Sequence, residues 1–287
     1  MAHSMKDRNV VITGSASGIG AACALKLDAL GCRVFAGVRR ESDGEALKAK
    51  ASERLTPILL DVTREEQIAD AAALVAESVG EDGLDGLVNN AGVVVAGPLE
   101  FLPIAELKRQ MDVNVIGVMA VTQALLPLLR RARGRIVSIG SVSGRISTPF
   151  VGPYAASKFA LEGMTDSLRM ELKPWGIEIA LVEPGAIATP LWRKSRDTAE
   201  ALAETLPEEC DQLYGPALDK LRVVVEKVEQ MAVPPEKVAR VVVRALTVRR
   251  PKTRYLVGRG ARLQVWMARH LSDRLRDTLL LRVMGIR

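Results

Sequence analysis

Short, β-branched apolar runs alternate with helix-length segments from Asn9 to Glu183, and this rhythm constrains the fold more than any other feature of the chain. A strand buried on both faces reads as an unbroken apolar run, and joining it in parallel to the next requires a crossover, usually a helix. The runs predict strands over Asn9–Thr13, Arg33–Gly37, Thr56–Leu60, Gly86–Asn89, Arg135–Ile139 and Ile177–Glu183. Between them the spacing predicts helices over Ile19–Leu30, Gly44–Ser52, Arg64–Val79, Pro103–Arg131 and Gly152–Lys173, the last closed by Pro174 and Gly176. From Ala188 to Pro235 the strand rhythm stops. That stretch is charged and helical in pattern, punctuated by Pro207, Pro216 and Pro234-Pro235, and an insertion of this size suits a lid. Pro235 then fits the first position of a helix over Glu236–Val248, and Arg254–Val257 offers a seventh strand. The expectation is α/β: a doubly wound, seven-stranded parallel sheet flanked by helices. It forms one domain over 5–258, with 188–234 as a helical substrate lid and 259–287 as a basic helical C-terminal extension.

The turn after the first strand reads Thr13-Gly14-Ser15-Ala16-Ser17-Gly18-Ile19-Gly20. Its glycines let the backbone turn sharply and approach a pyrophosphate without Cβ clashes, and the helix N-terminus behind it favours an anion. After the second strand, where many NAD-binding folds place an acid for the ribose hydroxyls, this chain has Arg39 and Arg40. Arginine pairs with a 2′-phosphate and cannot accept from a hydroxyl. NADP(H) is therefore preferred over NAD(H).

Composition narrows the chemistry. With two histidines, His3 and His270, and three cysteines, Cys23, Cys32 and Cys210, the chain has no metal-ligand spacing, and a Ser-His-Asp hydrolase would depend on His270 alone. Four Phe, three Trp and three Tyr are too few for a base-stacking nucleic-acid module. Acid–base work falls to other residues. Tyr154-Ala155-Ala156-Ser157-Lys158 places a phenol and an ammonium one turn apart on a helix. A phenol titrates near pKa ~10, and a lysine beside it is expected to lower that value toward neutrality.

Taken together, these segments resemble the short-chain dehydrogenase/reductase family. The resemblance rests on Thr13–Gly20, on Asn89-Asn90-Ala91-Gly92, on Asn114, on Ser141 thirteen residues before Tyr154, on Lys158, and on Pro184-Gly185 with Thr189. These motifs occur in the family's order over residues 9–190. The resemblance implies a Rossmann-type fold and an oxidoreductase that interconverts an alcohol with its ketone or aldehyde by hydride transfer. Tyr154 would be the general acid/base, Ser141 would bind the substrate oxygen, Lys158 would lower the tyrosine pKa and hold the nicotinamide ribose, and Asn114 would hold a water in a proton relay. Gly14, Ser15, Ser17, Gly18, Ile19 and Gly20 would cradle the cofactor phosphates, with Arg39 and Arg40 at the adenosine end. Asp61 and Val62 would flank the adenine, Asn89 the adenosine ribose side, and Ile187 and Thr189 the nicotinamide carboxamide, with Ala91, Gly92, Pro184 and Gly185 also binding the cofactor. Ser17 stands where many NADP-preferring members carry a cation, which leaves Arg39 as the main phosphate partner. A homo-oligomer, dimer or tetramer, is the family's habit.

The runs Val-Phe-Ala-Gly-Val-Arg-Arg and Ile-Ala-Leu-Val-Glu-Pro-Gly resemble the subgroup acting on retinoids, steroids and other lipophilic alcohols, with Val142, Ser143, Phe150, Val151, Leu191 and Trp192 as pocket candidates. An NAD(H)-dependent or ketoacyl-type reductase is the nearest alternative. A non-catalytic cofactor-binding or membrane-surface protein is the alternative of another class. From Arg249 onward eleven basic residues face only Asp273 and Asp277, so this tail carries +9 and the rest of the chain −3. Leu263, Met267, Leu271 and Leu275 share one helical stripe, with Arg262, Arg269 and Arg276 on another face. That pattern suits a helix packed on the body, or peripheral attachment to an anionic membrane. Three unpaired cysteines suit a reducing, cytoplasmic compartment, and no secretory signal or transmembrane helix is read from the sequence.

Overall fold

The structure is a computed structural model and describes residues 4–286; Met1–His3, with His3 among them, and Arg287 of the basic tail lie outside the described residues. Strands β1 (Asn9–Ile12), β2 (Arg33–Val38), β3 (Leu55–Leu59), β4 (Gly86–Asn89), β5 (Arg135–Ile139), β6 (Glu178–Pro184) and β7 (Arg254–Val257) form one all-parallel sheet. Their order is β3-β2-β1-β4-β5-β6-β7, so the chain reverses its winding direction between β1 and β4. Ligands of open α/β sheets sit at the carboxyl ends of the strands beside such a reversal.

Alternation along each strand feeds two cores. Val10 and Ile12 pack on one face with Cys23 and Leu27 of α1 (Gly18–Asp28), while Val11, between them, faces the other core. Helix α2 (Glu41–Lys48) starts three residues earlier than the pattern suggested, because Glu41 and Asp43 favour a first helical turn. The second core is covered by α3 (Glu65–Val79) through Ile68 and Val75, and by the rod that follows β4. That rod comprises α4 (Ile104–Met111), a π-helical turn at Asp112–Ile116, and α5 (Gly117–Ala132). The single helix expected over Pro103–Arg131 is thus interrupted, and π-turns of this kind re-aim one or two residues. By length and composition Ile104–Ala132 is apolar enough to cross a membrane, but Val121, Leu125 and Leu129 are buried against the sheet.

Helix α6 (Gly152–Glu171) follows β5, and the segment expected as a lid after β6 folds as α7 (Leu191–Ala203) and α8 (Glu208–Gln230). Pro216 lies inside α8 and does not end it, whereas Pro207 caps its start. The lid root is pinned by a parallel bridge between Ile187 and Val233, just before α9 (Pro235–Thr247), whose Val238 and Val242 complete the first core. The basic tail folds back as α10 (Ala261–His270) against β7 and α11 (Asp273–Met284) against α8. All three cysteines are free and buried, and burial pushes the Cys23 and Cys32 thiols up to about 12.

Candidate active site

A cleft of about 2040 Å³ runs across the carboxyl ends of the strands and under the lid. A single small-molecule site occupies about 300–1,000 Å³, so this volume suits two ligands side by side. One arm begins at the turn after β1. Gly14 and Gly18 adopt left-handed backbone (φ 66° and 59°), and a Cβ on Gly20 would stand 2.3 Å from the Gly14 carbonyl oxygen. Only glycine fits there, and the cradle it leaves is open to the cleft at Gly14, Ser17, Gly18 and Ile19. Ser15 and Gly20 do not reach the cleft wall: the Ser15 hydroxyl donates to the Ile12 carbonyl at 3.0 Å, and Gly20 supports the turn from behind.

Two features of this arm escaped the sequence reading. Asn90, not Asn89, serves the turn: its Nδ2 donates to the carbonyls of Thr13 (2.9 Å) and Gly14 (3.0 Å). Asn89 points away, donating to Thr122 at 2.9 Å with its own Oδ1 left without a partner. Strand alternation is the signal that separates them, since Asn89 ends β4 facing the core and its successor faces the cleft side. The second is Asp43, which lines the cleft with Arg39 and Arg40 and forms a bidentate pair with the Arg40 guanidinium, both bonds at 2.9 Å; Arg39, just past β2, has no ion-pair partner among the described residues. Asp61, Val62, Ala91 and Gly92 also line the cleft, with Asp61 accepting from the Thr63 hydroxyl at 2.7 Å.

Ser141, Tyr154 and Lys158 line the cleft together. Ser141 follows β5 and its hydroxyl accepts from the Ser143 amide at 3.0 Å. Burial pushes the Tyr154 phenol above its usual value, and the Ser141 hydroxyl pulls it partly back. Lys158 lies 5.7 Å from the Tyr154 ring centroid, but its ammonium donates to the Ile139 carbonyl at 2.8 Å. Burial lowers Lys158 to about 8. The expected depression of the tyrosine by the lysine is therefore not what this geometry produces; desolvation of both groups dominates.

Asn114 is placed differently from its expected role. It sits in the π-turn, wholly buried, and its amide is consumed by the Val93 backbone (2.9 and 3.1 Å) and the Ser157 hydroxyl (3.1 Å). Ser157 in turn donates to the Tyr154 carbonyl at 2.7 Å. The side chain is thus a strut that holds the helix turn carrying Tyr154 and Lys158. Behind that helix Glu162 and Glu183 are bridged by Arg145, and Arg254 joins Glu162 to Asp166. The bridges tie the end of β6, just before Pro184, to α6.

Pro184, Gly185, Ile187 and Thr189 line the cleft beside the centre. All six pocket candidates, Val142, Ser143, Phe150, Val151, Leu191 and Trp192, line the same cleft. Its far walls were not legible in advance: Leu221 and Val225 from α8, and Leu263 and Met267 from the tail. No motif marks them, because they are ordinary apolar positions until the lid and tail fold over the sheet.

A parallel sheet with a glycine cradle at its winding reversal, and a Ser-Tyr-Lys group beside it, defines a dinucleotide-dependent oxidoreductase. Residues 8–200 match the family described as short chain dehydrogenase. Retinol dehydrogenase 5 of Mus musculus is 41% identical over 280 residues, covering 96% of this chain and 88% of that protein. An NADPH-dependent 3-dehydrocapnine reductase of Ornithobacterium rhinotracheale is 36% identical over 255 residues, 87% of this chain and 88% of that one. The crystal structure of a short-chain dehydrogenase from Streptomyces avermitilis superposes with a TM-score of 0.77 at 30% identity, covering 96% of each chain. The chain belongs to the short-chain dehydrogenase family, in its retinol dehydrogenase-like group, and is an oxidoreductase acting on CH–OH groups.

Proposed function

We propose that the protein is an NADP(H)-dependent dehydrogenase/reductase that interconverts a lipophilic alcohol with its ketone or aldehyde, using Tyr154 as general acid/base. The observation that carries this reading is that Ser141, Tyr154 and Lys158 line one cleft together with a glycine cradle and a set of apolar side chains. The cradle fits a pyrophosphate because a Cβ at Gly14, Gly18 or Gly20 would intrude on it or its supports. Arg39 fits the 2′-phosphate, and the name of the NADPH-dependent relative agrees with that preference.

A bound nicotinamide supplies or accepts the hydride at this site. The chain's own residues manage the oxygen. Ser141 donates a hydrogen bond to the carbonyl oxygen and holds it beside the Tyr154 phenol. Tyr154, kept protonated by its raised pKa, delivers its proton to that oxygen as negative charge develops. In the reverse direction the same phenolate oxygen takes the hydroxyl proton, and the Lys158 ammonium stabilises it on leaving the Ile139 carbonyl. Leu191 and Trp192 wall the cleft with apolar surface beside this exchange. The Trp192 indole is itself fixed by donating to the Ile187 carbonyl at 2.7 Å.

Tyr154→Phe tests the assignment. Turnover followed by nicotinamide absorbance, over a panel of ketones, aldehydes and alcohols, should fall by about 10²–10⁴-fold while cofactor affinity is unchanged. Near-wild-type turnover would remove Tyr154 from the mechanism. The tail supports a second element of the reading, contact with an anionic membrane surface. Leu263, Trp266, Leu275 and Val283 are exposed on α10 and α11, and Leu263 and Val283 also line the cleft.

A further inference from the structure

We propose that Lys194, on the lid helix α7, is a specificity-determining residue that grips the cofactor's 2′-phosphate together with Arg39 and so ties lid closure to NADP(H). The inference rests on the NADP(H) reading above and extends it to a residue outside every motif. Lys194 lines the same cleft as Arg39, Arg40 and Asp43. Its position follows from the lid root. A Cβ on Gly18 would lie 3.1 Å from the Thr189 side chain and 3.8 Å from Pro190, so the start of α7 rests on the phosphate turn. The Lys194 amide donates to the Pro190 carbonyl at 3.1 Å, which puts Lys194 one helical turn from that contact.

Three cations, Arg39, Arg40 and Lys194, act on the Asp43 carboxylate and hold it below the usual range, led by the direct Arg40 hydrogen bonds. Arg40 is committed to Asp43 by its bidentate pair. Neither Arg39 nor Lys194 has a carboxylate within ion-pair distance among the described residues. The cluster therefore carries two uncompensated positive charges, which complement a phosphate dianion. A ribose hydroxyl would leave the two charges unneutralised. The remainder of α7 walls the substrate arm through Leu191, Thr198 and Leu202, so a phosphate held by Lys194 also settles the lid over the substrate.

Binding of 2′,5′-ADP and of 5′-AMP, measured by calorimetry on the full chain, reads this without turnover. Wild type should bind 2′,5′-ADP more tightly than 5′-AMP. Lys194→Met should weaken 2′,5′-ADP about tenfold, leave 5′-AMP unchanged, and abolish 2′,5′-ADP-dependent protection of Leu191–Ala203 from hydrogen exchange. Lys194→Arg should restore both. If Arg39→Ala weakens 2′,5′-ADP while Lys194→Met does not, the Lys194 assignment is overturned and the NADP(H) reading stands. Equal weakening of both nucleotides in Lys194→Met overturns it too, since the contact would then be to the shared 5′-phosphate or to lid folding. Equal wild-type affinity for the two nucleotides overturns the NADP(H) reading itself.

Discussion

Lys158 decides much of the site's electrostatics. The lysine is nearly inaccessible, its ammonium donates to one carbonyl, and burial brings it down to about 8. A folded-state pKa below the ordinary lysine value means that the folded protein binds this proton less tightly than the unfolded chain does. Stability contributed by the site therefore rises as pH climbs from about 8 toward the usual value near 10.5, and below 8 the buried charge is a cost. Lys158→Met should abolish turnover yet stabilise the fold at pH 7, by about 1–4 kcal/mol. The gain should shrink at pH 10. Thermal denaturation at the two pH values checks this, and a variant less stable than wild type at pH 7 would show that the Ile139 hydrogen bond outweighs desolvation. The Tyr-Lys spacing was legible in the sequence, but the sign of the tyrosine's shift was not. Spacing gives proximity along a helix, whereas desolvation depends on what packs around it.

At the level of elements, the phosphate turn and α6 make opposite demands on glycine. Gly20 lies under the Gly14 carbonyl and the Asn90 amide, and both would be struck by a methyl group. Gly20→Ala should open the turn, cost about 1–3 kcal/mol of stability and weaken cofactor binding with it. Gly163, on the outer face of α6, has nothing within 4 Å of a built Cβ. Gly163→Ala should stabilise by about 0.4–1 kcal/mol and leave cofactor binding alone. Denaturant melts and cofactor titrations on the two variants distinguish them, and a matched loss in both would refute the close-contact argument. The lid is fastened by another local device. Phe150 adopts left-handed backbone (φ 67°), and its carbonyl accepts from the Gly97 amide at 2.8 Å. Its ring meets Tyr214 of α8 edge-on at 6.0 Å, and Phe101 meets the same Tyr214 at 6.0 Å. Three of the chain's ten aromatics thus meet at α8, with Phe150 just before α6, a place where backbone strain is expected to serve function.

Across the whole molecule, charge and apolar exposure are segregated together. The mildly acidic body holds the catalytic cleft, and the +9 tail carries exposed Leu263, Trp266, Leu275 and Val283 beside the cleft mouth. The protein should co-sediment with vesicles containing phosphatidylserine and not with neutral ones. Arg274→Gln with Arg282→Gln should weaken that binding about thirtyfold, at about 1 kcal/mol per charge. Equal partitioning to both vesicle types would count against membrane contact. The number and parallel sense of the strands, the phosphate turn and the order of the active-site groups were already determined by the sequence, because each depends on local periodicity or a short fixed spacing. Tertiary structure alone decided that Arg40 pairs with Asp43, that Asn114 braces α6, that Lys194 lines the same cleft as Arg39, and that the tail walls the cleft. Those outcomes depend on which distant side chains compete for one partner, and on how the lid and tail pack. Neither leaves a periodic trace along the chain.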